Sequence, residues 1–137
     1  MAKDKIHDAV KNALIKDGWT ITADPYQLKT PDFKLEADLA ADRPIAAERA
    51  GSKIVVEIKS FLGRSLITEF YGALGQYLTY EELIQMIEPD RKLYLAVSDL
   101  IFNDFFQLET IRMITQKDHV AILVVNTATE EVERWIN

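Results

Sequence analysis

The stretch KIVVEIKSF, residues 53–61, decides how the chain must fold, because it has the pattern of a buried strand and yet carries an acid and a base. Successive side chains of a β-strand point to opposite faces, so aliphatic side chains fill one face while Glu57 and Lys59 project together from the other. Burying either charge alone would be costly. Their shared face is therefore a wet cleft, a mutual ion pair or a metal site, unless the strand is half exposed and that face is simply solvated.

The composition is that of a small globular protein with one domain, residues 1–137. Apolar residues make up 48% of the chain, and the longest apolar run, VAILVV at 120–125, is far shorter than the roughly 20 residues that span a bilayer. The N-terminal residues lack the apolar stretch of a secretory signal, so we expect a cytoplasmic protein. With no cysteine and two distant histidines, thiol chemistry and cysteine-ligated metals are excluded, and oxygen must hold any metal.

The net charge of -6 argues against a protein that coats nucleic acid by charge alone, because that mode needs many basic residues. The charge is unevenly distributed. From Arg43 to Arg64 there are five basic residues and two acidic ones, so a local positive segment lies in an acidic chain. That segment contains the strand with Glu57 and Lys59.

The periodicity predicts helices and strands in the order α-β-β-β-α-β-α-β-β, a mixed β-sheet flanked by helices. A tight turn at Ala50-Gly51 joins two apolar runs, and the second run is the strand that carries Glu57. Capping residues and prolines set the other boundaries. The predicted elements are a helix at 4–17 with Asp4 as cap and Gly18 as stop, strands at 19–22 and near 33–40 around a turn region with Pro25 and Pro31, a long helix at 66–87 capped by Ser65, a strand at 92–98, a helix at 103–116, and strands at 121–126 and 131–136.

A Glu-x-Lys at the end of a hairpin, followed directly by a helix, resembles the PD-(D/E)xK nuclease superfamily and its restriction-endonuclease-like fold. In that arrangement Glu57 and an acid on a neighbouring strand would hold Mg²⁺ or Mn²⁺, because Mg²⁺ keeps most of its waters and needs only one or two protein carboxylates. Lys59, on the same face, would orient the attacking water or stabilise the charge that builds on the phosphate.

The second acid of the metal site has three candidates. Asp38 in the predicted second strand ranks first, Asp42 second and Glu48 third. A turn at Ala50-Gly51 would set Lys59 opposite Asp42 and Glu57 opposite Pro44, with Glu48 roughly 13 Å further along by strand rise. The acids and the histidine of the first helix, Asp4, His7 and Asp8, could add an acid or a base, or could form an ordinary solvated helix start.

The long helix carries a second pattern, Gln76-x-x-x-Tyr80, which resembles the additional motif of RecB-like members of the superfamily. Residues four apart lie on one helix face, so the two side chains could together position a DNA backbone. An ordinary half-exposed helix face is the alternative. Gly72 and Gly75 flank the pattern and each costs roughly 1 kcal/mol in a helix, so we expect close packing of the helix on the sheet to compensate.

Taken whole, the chain resembles the XisH family, the fdxN element excision controlling factors of heterocyst-forming cyanobacteria. The resemblance rests on AKDKIHDAVKNALIKDGWTIT at 2–22, ADLAADRPIAAERAGSKIVVEIKSFLG at 37–63, EFYGALGQYLTY at 69–80, and PDRKLYLAV at 89–97 with WI at 135–136. It implies a PD-(D/E)xK-like fold, a role in programmed excision of a DNA element by a separate recombinase, and a functional partner of the XisI family.

Two classes of function follow from this resemblance. In the first, the protein is a Mg²⁺-dependent endonuclease in which Asp38 and Glu57 hold the metal, Lys59 orients water, and Gln76 and Tyr80 position the backbone. In the second, the fold is a non-catalytic regulatory module that binds DNA, the recombinase or a XisI-type protein. Neither reading fixes the oligomeric state, and homo-oligomers remain open.

Overall fold

The structure is a computed structural model that describes residues 2–43 and 51–137. It confirms the mixed α/β fold with a sheet flanked by helices. None of the helices in those ranges is long and apolar enough to span a membrane. The elements are α1 (Ala2–Lys16), β1 (Thr20–Ala23), β2 (Tyr26–Lys29), β3 (Lys34–Ala37), β4 (Leu39–Arg43), β5 (Ser52–Ile58), α2 (Leu66–Ile87), β6 (Lys92–Ser98), α3 (Asp99–Asn103), a 3₁₀ turn (Phe105–Gln107), α4 (Glu109–Lys117), β7 (Ile122–Asn126) and β8 (Glu131–Ile136).

Six strands form the main sheet in the order β1-β4-β5-β6-β7-β8, while β2 and β3 pair separately as a hairpin. The three central strands β5, β6 and β7 run parallel, and the outer pairings are antiparallel. Parallel neighbours need crossover connections, which α2 supplies between β5 and β6 and α3 with α4 supply between β6 and β7. The carboxyl ends of the central strands therefore lie at one edge of the sheet.

Each face of the main sheet has its own apolar core. On one face Val55 and Leu95 pack with Tyr77 of α2 and with the phenylalanines that follow β6. On the other face, Leu14 of α1 packs with side chains such as Val56. The alternation along β5 predicted this division, and Glu57 and Lys59 share the face that α2 covers.

Several predicted boundaries are confirmed. The long helix spans 66–87 as expected, and the Ser65 hydroxyl accepts a hydrogen bond from the Thr68 N–H at its start. Gly18 follows α1 with a φ of 91°, a conformation that favours glycine. The helix itself begins at Ala2 rather than at Asp4.

Other predicted elements were wrong in extent. The strand expected near 33–40 is interrupted at Asp38, and the turn region before it contains β2, which pairs with β3. The single helix expected at 103–116 is instead α3, the 3₁₀ turn and α4. The first of these, α3, begins at Asp99, before the predicted start, because the Ser98 hydroxyl caps it by accepting a hydrogen bond from the Ile101 N–H.

The predicted register of the hairpin was also wrong. Asp42 pairs with Lys53 and Leu39 with Val56, so Lys59 does not lie opposite Asp42. This register requires a connection longer than a two-residue turn at Ala50-Gly51. Ala50 and the predicted first arm of the hairpin lie outside the described residues.

The glycines of α2 do not pack closely on the sheet, contrary to the expectation from sequence. Gly72 and Gly75 are both exposed, and no atom of the described residues lies within 4 Å of a Cβ added at either position. Their cost in helix propensity is therefore not offset by contacts within this part of the chain.

A buried arginine, Arg91, links several elements at the end of the sheet where β5 begins. The Arg91 side chain is 8% exposed, and its guanidinium donates to Asp42 Oδ1 at 2.8 Å and to the Ile54 carbonyl at 3.1 Å. Its Nε lies 3.0 Å from Glu88 Oε1, which also accepts the Tyr26 hydroxyl at 2.7 Å. One cation thus connects β4, β5 and the end of α2.

Replacing this arginine by methionine, Arg91→Met, should lower the free energy of unfolding by about 2–3 kcal/mol, measured by urea denaturation. The loss should be smaller than for a fully buried pair, because the carboxylates of Asp42 and Glu88 remain about one-third exposed and can be hydrated. The exposed Arg112→Met is the control and should change the same quantity by less than about 0.5 kcal/mol. Equal effects of the two variants would contradict a structural role for Arg91.

Candidate functional site

Glu57 and Lys59 open into a cavity of about 230 Å³ at the carboxyl end of β5. We call it the site cavity. Its wall comes from four parts of the chain: α1, the break between β3 and β4, the end of β5 and the first turn of α2. The lining residues are Ile6, His7, Asp38, Glu57, Ile58, Lys59, Ser60 and Glu69.

Asp38 and Glu57 are joined by a reciprocal pair of hydrogen bonds. Asp38 Oδ2 accepts the backbone N–H of Ile58 at 2.7 Å, and Glu57 Oε1 accepts the backbone N–H of Asp38 at 3.2 Å. Leu39, the first residue of β4, pairs with Val56 of β5. Next to this pair the two carboxylates take the place of backbone pairing between the strands. The first-ranked acid and the acid of the Glu-x-Lys pattern therefore meet, and the backbone fixes both.

The electrostatics of the site cavity centre on Glu57, whose side chain is 8% exposed. Burial raises the pKa of Glu57 to about 7, and the negative charge of Asp38 raises it as well. Lys59 acts in the opposite direction, with its Nζ 3.5 Å from Glu57 Oε2, but it is 32% exposed and offsets only part of the effect. Glu57 and Lys59 thus form an ion pair inside the site cavity.

A second cavity of about 340 Å³ adjoins the first, and we call it the adjoining cavity. Lys59 and Glu69 line both cavities, and Gly72 and Gln76 of α2 line only the adjoining one. The two cavities are therefore contiguous along the first half of α2.

Gln76 and Tyr80 lie on one face of α2 and contact one another. Gln76 Nε2 donates to the Tyr80 hydroxyl at 3.0 Å, and that hydroxyl donates to the Glu36 carbonyl at 3.1 Å, two residues before Asp38. Burial raises the pKa of Tyr80, and the charges of Glu57 and Asp38 add to this effect. Gln76 Oε1 is buried and has no hydrogen-bond partner among the described residues, so it can accept a hydrogen bond from a bound molecule.

Of the two first-helix candidates whose side chains the structure describes, His7 lines the site cavity and Asp8 does not. The His7 Nε2 lies 3.0 Å from Asp24 Oδ1, and Lys11 also binds that carboxylate at 2.8 Å, so the imidazole already has a partner. Asp8 is exposed. The side chain of Asp4 lies outside the described part of the structure.

The sequence interpretation did not identify Glu69. Its Oε2 accepts the Gly63 N–H at 2.6 Å, and a Cβ at position 63 would lie equally close to that oxygen, so glycine allows the approach. The signal that could have identified it is its place in the first turn of the helix that directly follows Glu-x-Lys.

The other two acids proposed for a metal site are not brought to Glu57. Asp42 lies at the far end of β4, where it pairs with Arg91, and Glu48 lies outside the described residues. Across 2–43 and 51–137, no group of three or more His, Asp or Glu side chains could hold a metal ion. A cation here would therefore rely on Asp38 and Glu57 and keep most of its waters, which suits Mg²⁺.

The raised pKa of Glu57 predicts a pH dependence of stability. Its folded-state pKa lies above the unfolded value of 4.5, so the stabilising contribution is full below pH 4.5 and is lost as the pH rises towards 7. The variant Glu57→Gln resembles the protonated acid. It should match the wild type near pH 4.5 and exceed its free energy of unfolding by on the order of 2 kcal/mol at pH 8.

Urea denaturation at a series of pH values measures this difference, without added metal. The exposed Glu133→Gln is the matched control and should follow the wild type throughout. A constant difference between wild type and Glu57→Gln from pH 4.5 to 8 would show that folding does not raise the pKa of Glu57.

The comparisons with known proteins cover almost all of the chain. The XisH protein family matches residues 1–133. A crystal structure of an fdxN element excision controlling factor protein from Anabaena variabilis shares 43% identity, with a TM-score of 0.88 over 98% of this chain and 99% of that one. An XisH family protein from Nostoc punctiforme PCC 73102 shares 40% identity, with a TM-score of 0.89 over 98% of this chain and 100% of that one.

No match was found among curated proteins. The family match extends over all the residues that form the site cavity, from Ile6 to Glu69. At 40–43% identity and nearly complete coverage, the similarity to the two solved structures extends beyond the shared fold. The chain belongs to the XisH family.

Proposed function

We propose that this protein acts in the control of excision of a DNA element and that its site cavity cleaves phosphodiester bonds with the help of Mg²⁺. Family membership and the similarity to an fdxN element excision controlling factor support the first part. The second part rests on one observation: Asp38, Glu57 and Lys59 converge in a single cleft. The arrangement resembles that of PD-(D/E)xK nucleases.

The two carboxylates fit a divalent cation. Their reciprocal hydrogen bonds use Asp38 Oδ2 and Glu57 Oε1, so a metal would bind Asp38 Oδ1 and Glu57 Oε2, the second of which lies 3.5 Å from Lys59 Nζ. Burial is the main cause of the raised pKa of Glu57, and repulsion by the neighbouring carboxylate of Asp38 adds to it. A bound Mg²⁺ would relieve the repulsion and supply Lewis-acid polarisation of a phosphate oxygen.

Lys59, Gln76 and Tyr80 would have separate roles at this site. Lys59 is partly exposed beside the acids, so its ammonium can donate to a phosphate oxygen and stabilise the charge that develops there. Gln76 Oε1 can accept a hydrogen bond from a water molecule and so orient it. Tyr80 is a positioning residue, because its hydroxyl links α2 to the backbone just before Asp38.

A second candidate function is a non-catalytic module that binds a protein partner of the XisI type. The observation that favours it is the exposed apolar surface on α2, where Tyr71 is 66% and Met86 75% exposed. The net charge of -6 also suits a protein partner better than extended contact with DNA. In this reading Lys59 serves only as the counter-charge of Glu57.

The variant Lys59→Met distinguishes the two functions, because the Lys59 ammonium would stabilise a phosphate in the first and would only balance the charge of Glu57 in the second. If the site cleaves DNA, the variant should lose about 10²- to 10³-fold in the rate of Mg²⁺- or Mn²⁺-dependent cleavage of supercoiled and single-stranded DNA. Calorimetric titration with Mg²⁺ should change little, because Lys59 is not a ligand. Glu57→Gln should reduce both cleavage and metal binding.

Lys53→Met is the matched control, since Lys53 lies on the same face of β5 at its other end and pairs there with Asp90. It should leave cleavage and Mg²⁺ binding unchanged. If the wild type shows no metal-dependent cleavage while Lys59→Met melts at a lower temperature, the nuclease site is refuted and the non-catalytic module is favoured.

The exposed glycines of α2 give a second test of the site. Gly72→Ala and Gly75→Ala should each raise the free energy of unfolding by about 1 kcal/mol, because alanine favours the helix and the added methyl meets no atom within 4 Å. Only Gly72 lines the adjoining cavity. A substrate backbone that approaches α2 there should be hindered by Gly72→Ala, with about a tenfold loss of cleavage or of DNA affinity, while Gly75→Ala should have no such effect.

Denaturation curves and cleavage or DNA-binding assays on the same two preparations measure both quantities. If both variants are destabilised, Gly72 and Gly75 are in close contact with another group in the protein. If both keep full activity, DNA does not approach α2 at Gly72.

A further inference from the structure

A third cavity, of about 350 Å³, lies at the β8 edge of the sheet and shares no lining residue with the site cavity. We call it the β8 cavity, because edge strand β8 forms one wall and the helical segments after β6 form the other. Its floor is apolar and includes Phe102, Phe106 and Ile122, all buried. Its rim is polar and includes Gln107, Arg112, Gln116, His119 and Arg134.

The rim of the β8 cavity is cationic in an acidic protein. Two arginines and one histidine line it, and no Asp or Glu side chain does. Within residues 2–43 and 51–137, Arg112, His119 and Arg134 take part in no salt bridge. Of the six arginines and lysines that follow Lys59, two therefore face this one cleft without an acidic partner, which favours an anionic ligand.

Aromatic packing holds one of these guanidinium groups in place. The Arg134 guanidinium carbon lies 5.3 Å from the centre of the Phe102 ring, and Phe102 stacks on Phe106 with ring centres 6.5 Å apart. A guanidinium on an aromatic face keeps the N–H groups at its edges free for bidentate hydrogen bonds to an oxyanion. Gln107 Nε2 donates to the Phe102 carbonyl at 3.0 Å, which leaves Gln107 Oε1 as an acceptor at the rim.

We propose that the β8 cavity binds a small ligand in which a phosphate monoester is attached to a flat, partly apolar ring, the chemistry of a nucleoside monophosphate. Arg112 and Arg134 would bind the phosphate, because planar guanidinium donors match its geometry. The apolar floor would contact the ring, and the amides of Gln107 and Gln116 would bond to its polar edge. The volume of about 350 Å³ lies within the range of small-ligand sites.

Calorimetric titration of the full chain with adenosine monophosphate, adenosine and inorganic phosphate tests this proposal. Adenosine monophosphate should bind at least tenfold more tightly than adenosine, since only the former carries the charge, and more tightly than inorganic phosphate, which lacks the ring. Arg134→Gln and Arg112→Gln should each weaken its binding about tenfold or more.

The exposed Arg64→Gln removes the same charge outside the β8 cavity and should leave the affinity unchanged. Melting curves confirm that each variant is folded, and either rim arginine suffices if the other variant is unstable. The proposal is overturned if adenosine monophosphate does not bind at millimolar concentration, if adenosine binds equally well, or if Arg64→Gln weakens binding as much as Arg134→Gln. Because Lys59 and Glu57 lie outside this cavity, the result is independent of whether the site cavity cleaves DNA.

Discussion

The arrangement of the site depends on the exchange of hydrogen bonds between Asp38 and Glu57. Each carboxylate accepts a backbone N–H of the other strand, so the two acids complete the pairing of β4 and β5 where the backbone of β4 departs. Hydrogen bonds to ionised acceptors are stronger than neutral ones, and a buried N–H left without a partner costs about 1–3 kcal/mol. The hydrogen bond that each carboxylate accepts therefore stabilises the fold, although the two acids repel one another. A site that holds two negative charges together is thus built into the end of the sheet.

The break in the strand at Asp38 also determines what surrounds the acids. Before it, the chain forms the β2–β3 hairpin outside the main sheet, and the Tyr80 hydroxyl holds this segment to α2 through the Glu36 carbonyl. Gln76 in turn donates to Tyr80. The Gln-x-x-x-Tyr pattern therefore has a mechanical role in this chain whatever its part in chemistry, because it fixes the approach of the backbone to Asp38. The same link leaves one buried oxygen of Gln76 free for a ligand.

The sequence predicted those features that depend on local pattern. The limits of α2 follow from Ser65 and the apolar spacing, and the shared face of Glu57 and Lys59 follows from strand alternation. The register of β5 could not be predicted, because Ala50-Gly51 indicates a two-residue turn whereas the pairing of Asp42 with Lys53 requires a longer connection, and the error set Asp42 opposite Lys59. Asp42 is instead paired with Arg91, some fifty residues further along the chain, and no local pattern reveals such a contact. Likewise, helix propensity marks Gly72 and Gly75 as costly but does not tell which side of α2 they face.

The charges of the site cavity explain why an acid, a second acid and a base belong together. Asp38, Glu57 and Lys59 carry one net negative charge when all are ionised, and burial makes that charge costly, as the raised pKa of Glu57 shows. Proton uptake by Glu57 is one way to remove it near neutral pH. A divalent cation is another, and it would leave these three side chains with one net positive charge, to which Glu69 adds a further acid at the same cavity. Without Lys59 the site with its cation would be more negative by one charge and would attract a phosphodiester less strongly. The base beside the acid in β5 is thus the group that would turn a cation site into a site for a phosphodiester.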